Sequence, residues 1–206
     1  MVKLLAATRS GGKQREIRRL LKSAAVDLVF PGDVGVALTP AEDALELGET
    51  FEANARRKAE YFARRTGLPT VADDSGLEVF ALGGAPGVRS RRWAAASGSA
   101  AEVDGANNAE LLRRLAGAPE ARRTARYRCV LVWLPAPEAR AEVFEGTCGG
   151  RILTEPRGSE GFGYDPLFLS DDLGRTFGEV DDQEKDAVSH RGRAFRSLVE
   201  ALRRKG

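Results

Sequence analysis

Cysteine and histidine are scarce in this chain, which has two cysteines and one histidine among 206 residues. The two thiols, Cys129 and Cys148, are too few for a disulfide framework and lack the spacing of zinc ligands. No apolar run approaches the ~20 residues that a membrane-spanning helix needs. The N-terminal stretch MVKLLAATRS becomes polar too early for a signal peptide. These absences predict a reduced, cytoplasmic protein without a membrane span.

Excess charge is also missing, because 32 basic and 30 acidic residues leave a net charge of +2. A nucleic-acid-binding protein of this size usually has a larger basic excess, so we expect no nucleic-acid partner. The hydrophobic content of 42% and the charged content of 30% are ordinary for a globular protein. Because the sequence has no repeat and no clear linker, we predict a single domain over residues 1–206, with two lobes around a cleft.

Hydrophobic periodicity predicts helices and strands that alternate at first, followed by strands in the second half of the chain. The predicted strands are 2–7, 26–30, 68–72, 77–82, 125–134 and 140–150, and the predicted helices are 11–25, 50–67, 107–117 and 189–205. Residues 31–48 are expected to form a loop, and the strands at 125–134 and 140–150 an antiparallel pair. This order is typical of an α/β fold with a mixed sheet.

Two adjacent carboxylates, Asp73 and Asp74, lie in the stretch VADDSGLEV, residues 71–79. Adjacent carboxylates repel each other and resist burial, so packing alone gives no reason for them. We predict that they lie at a turn between two strands and bind Mg²⁺, which prefers oxygen ligands, with Glu46 as a further ligand. The alternatives are a turn held by aspartate side-chain bonds and, for Glu46, a solvated loop acid.

A candidate phosphate loop, ATRSGGK, occupies residues 7–13 between the first predicted strand and helix. Backbone N–H groups at such a helix start can bind phosphate, and Lys13 can add a positive charge. The stretch lacks the full P-loop pattern, and the alternative is a simple strand-to-helix turn.

Two later stretches have the residue types of a base-binding site. In GFGYDP, residues 161–166, Phe162 and Tyr164 offer ring faces for stacking and Asp165 can accept hydrogen bonds. The alternative is a glycine-rich loop whose aromatic side chains fill the core. In EKDAVSHRG, residues 184–192, a cluster of possible donors opens the last predicted helix; its members are Lys185, Ser189, His190 and Arg191. The alternative for Ser189 is a helix cap.

Five motifs together resemble the inosine triphosphate pyrophosphatase family over nearly the full chain. They are GETFEANARRKA, ADDSGLEV, GGAPGVRS, GFGYDPLF and EKDAVSHRG, in the order and at the spacing of that family. The resemblance implies an elongated mixed sheet flanked by helices, with the active site in a central cleft. It also implies a homodimer that uses Mg²⁺ to hydrolyse inosine, deoxyinosine and xanthosine triphosphates to monophosphate and pyrophosphate.

The resemblance further implies the roles of single residues. Asp74 matches the catalytic proton acceptor and a metal ligand, Glu46 matches the other metal ligand, and Asp73 is the acidic neighbour of Asp74. The matches to substrate contacts are Thr8, Arg9, Ser10, Gly11, Gly12, Lys13, Lys58, Ser75, Phe162, Gly163, Tyr164, Asp165, Lys185, Ser189, His190 and Arg191. Asn54 matches a further motif position.

The chain departs from the family at Thr8-Arg9-Ser10, where Thr-Gly-Asn is common. We expect Ser10 to replace the asparagine through its hydroxyl group and Arg9 to add charge toward the phosphates. Two other functions fit the same residues: a nucleotide-binding module without turnover, and a pyrophosphatase for another modified nucleotide.

Overall fold

The structure, a computed structural model, describes residues 2–205, with side chains as far as Arg204. Its strands are β1 (Val2–Ala6), β2 (Val26–Val29), β3 (Thr70–Val79), β4 (Thr124–Leu134), β5 (Glu142–Ile152) and β6 (Phe168–Ser170). Its α-helices are α1 (Gly11–Leu20), α2 (Phe51–Thr66), α3 (Ala100–Arg114), α4 (Asp182–Val188) and α5 (His190–Lys205).

The six strands form one sheet in the order β2-β1-β3-β4-β5-β6. Strand β1 pairs in parallel with β2 and β3, whereas β6 pairs antiparallel with β5. The sheet is therefore mixed, which confirms the predicted α/β class. No helix among residues 2–205 is long and apolar enough to cross a membrane.

The chain divides into two compact units. The first comprises the residues up to Asp74, residues 129–146 and the residues from Arg191 onward, and the second comprises residues 75–128 and 147–190. The prediction of a single domain with a cleft between two lobes stays a prediction.

Two hydrophobic clusters form the core of the first unit. One joins α1 and α5 to the sheet and includes Ile17 and Phe195, and the other joins α2 to the sheet and includes Phe62. Consecutive residues of β3 divide between them, because Val71 belongs to the first cluster and Ala72 to the second. This alternation follows from the extended backbone, in which successive side chains point to opposite faces.

The core of the second unit is one cluster rich in aromatic rings. It contains Leu77, Val79, Leu111, Leu115, Ala125, Tyr127, Cys148, Ile152, Tyr164, Leu167, Phe168, Phe177 and Val180. Residues from β3, β4, β5 and α3 thus bury a common apolar surface beneath the GFGYDP loop.

The stretch around Asp73 and Asp74 corrects the predicted turn. Residues 70–79 form one continuous strand, β3, so the two carboxylates lie inside the sheet. Burial of a carboxylate is unfavourable in isolation, so local sequence favoured a turn. Partners from other elements of the first unit, described below, reverse that preference.

The remaining differences concern helix starts and short elements. Helix α3 begins at Ala100, seven residues before the predicted start, and is capped by a reciprocal pair of bonds between Ser99 and Glu102. Helix α4 was not predicted, although Asp181 and Glu184 form the same kind of box. The structure also differs from the prediction in three places: it has strand β6, it has a 3₁₀ turn inside the predicted loop 31–48, and α1 ends at Leu20 instead of residue 25.

Candidate active site

The two adjacent aspartates of β3 have different partners, because they point to opposite faces of the strand. Asp73 continues the face of Val71, and its Oδ2 lies 2.9 Å from Lys13 Nζ of α1 and 3.3 Å from Arg191 Nη2 of α5. Asp74 continues the face of Ala72, toward α2. Each carboxylate is thus received by a helix on its own side, which explains how both are buried at 2% and 6% exposure.

A third acid, Glu16, completes the group around Asp73. It lies on α1, is buried at 4% exposure and forms a short ion pair with Arg191 Nη1. Sequence reasoning missed Glu16, although its position three residues after Lys13 places both on one face of α1. Arg191 is therefore held between two buried carboxylates.

The charges around Asp73 fix its ionised form. Burial alone would raise the pKa of this carboxyl, but Lys13, Arg191 and Lys58 outweigh burial and hold the pKa well below its usual range. Burial would likewise lower the pKa of Arg191, but Glu16 and Asp73 raise it. The environment of Asp73 therefore favours its ionised form, which pairs with both Lys13 and Arg191.

Asp74 belongs to a more open group on the other side of β3. Its Oδ2 accepts a hydrogen bond from Asn54 Nδ2 at 2.8 Å, and its Oδ1 lies 3.8 Å from Lys58 Nζ. Lys58 Nζ also donates to Glu46 Oε1 at 2.7 Å and to the carbonyl oxygen of Asp73 at 2.5 Å. One ammonium group therefore contacts both predicted metal-binding carboxylates, Glu46 and Asp74.

The net pKa shift of Asp74 is opposite in direction to that of Asp73. Burial raises the pKa of Asp74, and Lys58 and Lys13 lower it without cancelling the rise, to which Glu46 adds. Burial also opposes the charge of Lys58, but the carboxylates around it raise the pKa of Lys58 above its usual value. Of the two aspartates, Asp74 is the one whose environment favours proton uptake.

The predicted phosphate loop connects β1 to α1. Ser10 is the N-cap of α1, and its hydroxyl accepts a hydrogen bond from Lys13 N at 3.5 Å. The hydroxyl of Thr8 accepts from Ser10 N at 3.2 Å. Gly11 and Gly12 are the first residues of the helix, where backbone N–H groups have no acceptor within the helix.

Arg9 points to a different partner from the one expected. Its guanidinium donates to both oxygens of Glu42, at 2.9 Å and 2.7 Å, and to the carbonyl oxygen of Val36 at 2.9 Å. The group therefore connects the loop to the 3₁₀ turn Pro40–Glu46, which ends at the predicted ligand Glu46. A contact between Arg9 and phosphate stays a prediction that this geometry weakens.

The second unit contains the predicted base-binding loop, which is organised around Asp165. Its Oδ2 accepts from Lys185 Nζ at 2.6 Å and from Phe162 N at 2.8 Å, and its Oδ1 accepts from Tyr127 OH at 3.2 Å. Asp165 is only 2% exposed, so it shapes the loop instead of presenting an open acceptor. Gly161 has a φ of +76°, and a Cβ there would overlap the Asp165 carboxylate.

The two aromatic residues of this loop have different surroundings. Tyr164 is 3% exposed, belongs to the hydrophobic core and donates from its hydroxyl to the carbonyl oxygen of Ser90 at 2.9 Å. Its ring is therefore a core element, which favours the alternative of an aromatic side chain that fills the core, and a contact between Tyr164 and a ligand stays a prediction. Phe162 is half-buried, and Lys185 Nζ lies 4.8 Å from its ring centre.

The remaining predicted residues of the second unit lie at element boundaries. His190 is the first residue of α5, and its ring stacks on Tyr127 with centroids 4.6 Å apart. Ser189 is buried between α4 and α5, and its N–H donates to the carbonyl oxygen of Lys185. Ser75 is half-buried in β3, directly after Asp74. Their contacts with a substrate stay predictions.

The mixed sheet and the paired charges beside the β1–α1 loop define an α/β protein with a candidate phosphate site. The model of the Ham1 family matches residues 4–201. A dITP/XTP pyrophosphatase of Anaeromyxobacter sp. (strain Fw109-5) is 45% identical over 230 residues, covering 98% of this chain and 99% of the relative. One of Yersinia pestis is 44% identical over 204 residues, with 98% and 99% covered.

Solved structures agree with the sequence comparisons. A HAM1 protein from Coxiella burnetii has a TM-score of 0.85 and 35% identity, with 99% of this chain and all of that chain covered. A nucleoside-triphosphatase, or dITP/XTP pyrophosphatase, from Mycobacterium abscessus has a TM-score of 0.73 and 42% identity, with 96% and 98% covered. The chain belongs to the Ham1 family, which confirms the resemblance found in the sequence.

Proposed function

We propose that this protein hydrolyses non-standard purine nucleoside triphosphates, such as ITP, dITP and XTP, to the monophosphate and pyrophosphate. It is then a hydrolase acting on phosphoric anhydrides that removes these nucleotides from the cellular pool. The observation that carries the proposal is Asp74, a buried carboxylate with a raised pKa that shares Lys58 with Glu46. The name carried by curated relatives at about 45% identity supports the same reaction.

The carboxylates suit a divalent metal ion. An oxygen of Glu46 and an oxygen of Asp74 lie 2.7 Å and 3.8 Å from Lys58 Nζ, so both carboxylates already face one positive charge. Within residues 2–205 no group of three or more His, Cys, Asp or Glu side chains could hold a metal alone. Mg²⁺ commonly binds through one or two carboxylates, with phosphate and water as the other ligands. We therefore assign Glu46 and Asp74 to Mg²⁺, which neutralises triphosphate charge when bound.

Asp74 acts as the general base in this proposal. Its raised pKa suits it to take a proton from the attacking water. The oxygen of that water forms a bond to the α-phosphorus, and the bond from the α-phosphorus to the bridging oxygen breaks. The bridging oxygen leaves with pyrophosphate. Asp73, whose lowered pKa makes it a poor base, holds Lys13 in place for the phosphates.

Lys13 and the N-terminus of α1 stabilise the negative charge that develops on the leaving pyrophosphate. Lys13 Nζ is 2.9 Å from Asp73 and is largely buried, so its position is set before substrate binds. The N–H groups of Gly11 and Gly12 lie at the positive end of the helix dipole. Ser10 preserves that helix start through its cap, in place of the asparagine that is common in the family.

The second unit supplies the groups for the base. Phe162 offers a ring, and Lys185 is a donor suited to the oxygen at position 6 of hypoxanthine and xanthine. Adenine has an amino group at that position and leaves such a donor unpaired. A homodimer and a cytoplasmic location complete the proposal.

Product analysis tests the reaction directly. Purified protein with Mg²⁺ is incubated in parallel with inosine, xanthosine, adenosine and guanosine triphosphates. We expect monophosphate and pyrophosphate from the first two and little product from the others. Binding without turnover would favour a nucleotide-binding module instead, and release of single phosphate would contradict the bond assigned here. Turnover only of another modified nucleotide would change the substrate class and keep the enzyme class.

A further inference from the structure

Gly163, in the middle of the predicted base loop, forms hydrogen bonds to α3 through both its backbone N–H and its backbone carbonyl oxygen. Asp104 Oδ2 accepts a hydrogen bond from Gly163 N at 2.8 Å. Asn108 Nδ2 donates one to the carbonyl oxygen of Gly163 at 2.9 Å. Asp104 and Asn108 are four residues apart on α3, so they lie on the same face of the helix. The helix therefore fixes Gly163 by binding both the donor and the acceptor group of its backbone.

These two hydrogen bonds restrain a segment whose backbone could otherwise adopt several conformations. Gly161 and Gly163, on either side of Phe162, have positive φ values of +76° and +67°. Glycine populates many backbone conformations, so a segment with two glycines around one ring has little intrinsic preference for a single ring position. Fixing the peptide at Gly163 while Asp165 holds Phe162 N removes that freedom. The Phe162 ring is the part of the loop whose position depends on both restraints.

The side chain of Asn108 indicates that its donor group has a specific use. Its Oδ1 is buried and has no hydrogen-bond partner among the described residues. A buried polar atom without a partner destabilises the folded protein, and an apolar side chain of similar size would avoid that effect. The amide oxygen of Asn108 thus destabilises the folded protein, whereas its amide nitrogen makes the hydrogen bond to Gly163.

We propose that Asp104 and Asn108 are positioning residues that set the Phe162 ring for the purine base and thereby determine base affinity. The inference rests on the proposed function, because it assigns the second-unit loop to the base. Neither residue touches the reacting phosphates in this assignment. Their substitution is therefore expected to weaken binding of base-containing ligands without slowing the chemical step.

Four variants separate positioning from general stability. Asp104→Ala and Asn108→Ala each remove one bond to Gly163, whereas Asp104→Asn keeps an oxygen that accepts from Gly163 N. Asn108→Leu removes the donor and the unpartnered oxygen together. Glu110→Ala is the matched control, because Glu110 lies on the same helix and bonds only outward, to Arg113 and Arg114.

Calorimetric binding of IMP and of pyrophosphate to each protein is measured beside kcat and KM for ITP. The alanine variants should raise the IMP Kd and the ITP KM about tenfold, with kcat within about twofold and pyrophosphate binding unchanged. Asp104→Asn should restore most of the affinity. Asn108→Leu should weaken IMP binding without lowering the melting temperature.

Three results would overturn the inference: unchanged IMP affinity, equal weakening of IMP and pyrophosphate binding, or the same effect in Glu110→Ala. Failure of the wild-type protein to hydrolyse ITP would refute the proposed function separately, because IMP binding is measured without turnover. Wild-type protein that hydrolyses ITP but binds no IMP would overturn the inference and leave the proposed function standing.

Discussion

The two units hold their polar groups by different means. In the first unit, Asp73 is buried against Lys13 and Arg191, and charge is balanced by charge. In the second unit, one acid, Asp165, is surrounded by a backbone N–H, a tyrosine hydroxyl and a single ammonium group. The first arrangement suits phosphates and a metal ion, whereas the second fixes a backbone loop beside a ring. The comparison teaches that the first unit pairs buried charges with one another, whereas the second unit restrains the backbone of a loop.

The largest effect is expected from Asp74→Asn in the first unit. Loss of a general base reduces kcat by about 10³-fold, within the range measured for such groups. The raised pKa of Asp74 means that its ionised form is unfavourable in the folded protein. The variant should therefore unfold at the same or a higher urea concentration than wild type at pH 7. Turnover near that of wild type in the folded variant would contradict the assignment.

Asp73→Asn should instead reduce stability, because it leaves Lys13 and Arg191 buried without their shared carboxylate. Loss of one partner of a buried ion pair costs about 3 kcal/mol. The lowered pKa of Asp73 gives stability that is present above the unfolded-state value of about 4 and declines as pH falls toward the folded-state value. Urea unfolding at pH 7 and pH 3 should show a difference from wild type that shrinks at the lower pH. An unchanged difference would argue against this electrostatic role.

Phe162→Leu tests the second unit with an intermediate effect. Loss of a ring that stacks on a base is expected to raise the KM for ITP about tenfold while kcat stays within about twofold. Because Phe162 is half-buried, unfolding should change little. The measurement is steady-state kinetics with ITP and XTP, with circular dichroism as the control for folding. A fall in kcat at unchanged KM would contradict a role in base binding.

Arg9→Gly, which restores the residue common in the family, should have the smallest effect. The Arg9 side chain is 31% exposed, and an exposed ion pair contributes at most about 1 kcal/mol. We expect a slight loss of stability and a change in the ITP KM of less than about threefold. Glu42→Gln serves as the matched variant, since it breaks the same pair from the other side. A large KM increase in Arg9→Gly alone would show that Arg9 reaches the phosphates when substrate is bound.

Local sequence predicted the elements whose patterns are regular. Helix α2 runs from Phe51 to Thr66, within the predicted 50–67, because Thr50 caps its start and Gly67 ends it with a φ of 69°. Helix α3 was predicted too short because its first turns, around Gly105, lack apolar periodicity. The capping pairs at Ser99 and Asp181 were present in the sequence and would have indicated α3 and α4.

The sequence by itself determined the family, the α/β class and most of the polar residues assembled in the two units, because these depend on motif order and short-range periodicity. Only the tertiary structure decided that Asp73 and Asp74 lie inside a strand, with opposite pKa shifts. It also decided that Glu16 pairs with Arg191, 175 positions away. The physical reason is that the stability of a buried charge depends on partners that folding brings from distant parts of the chain.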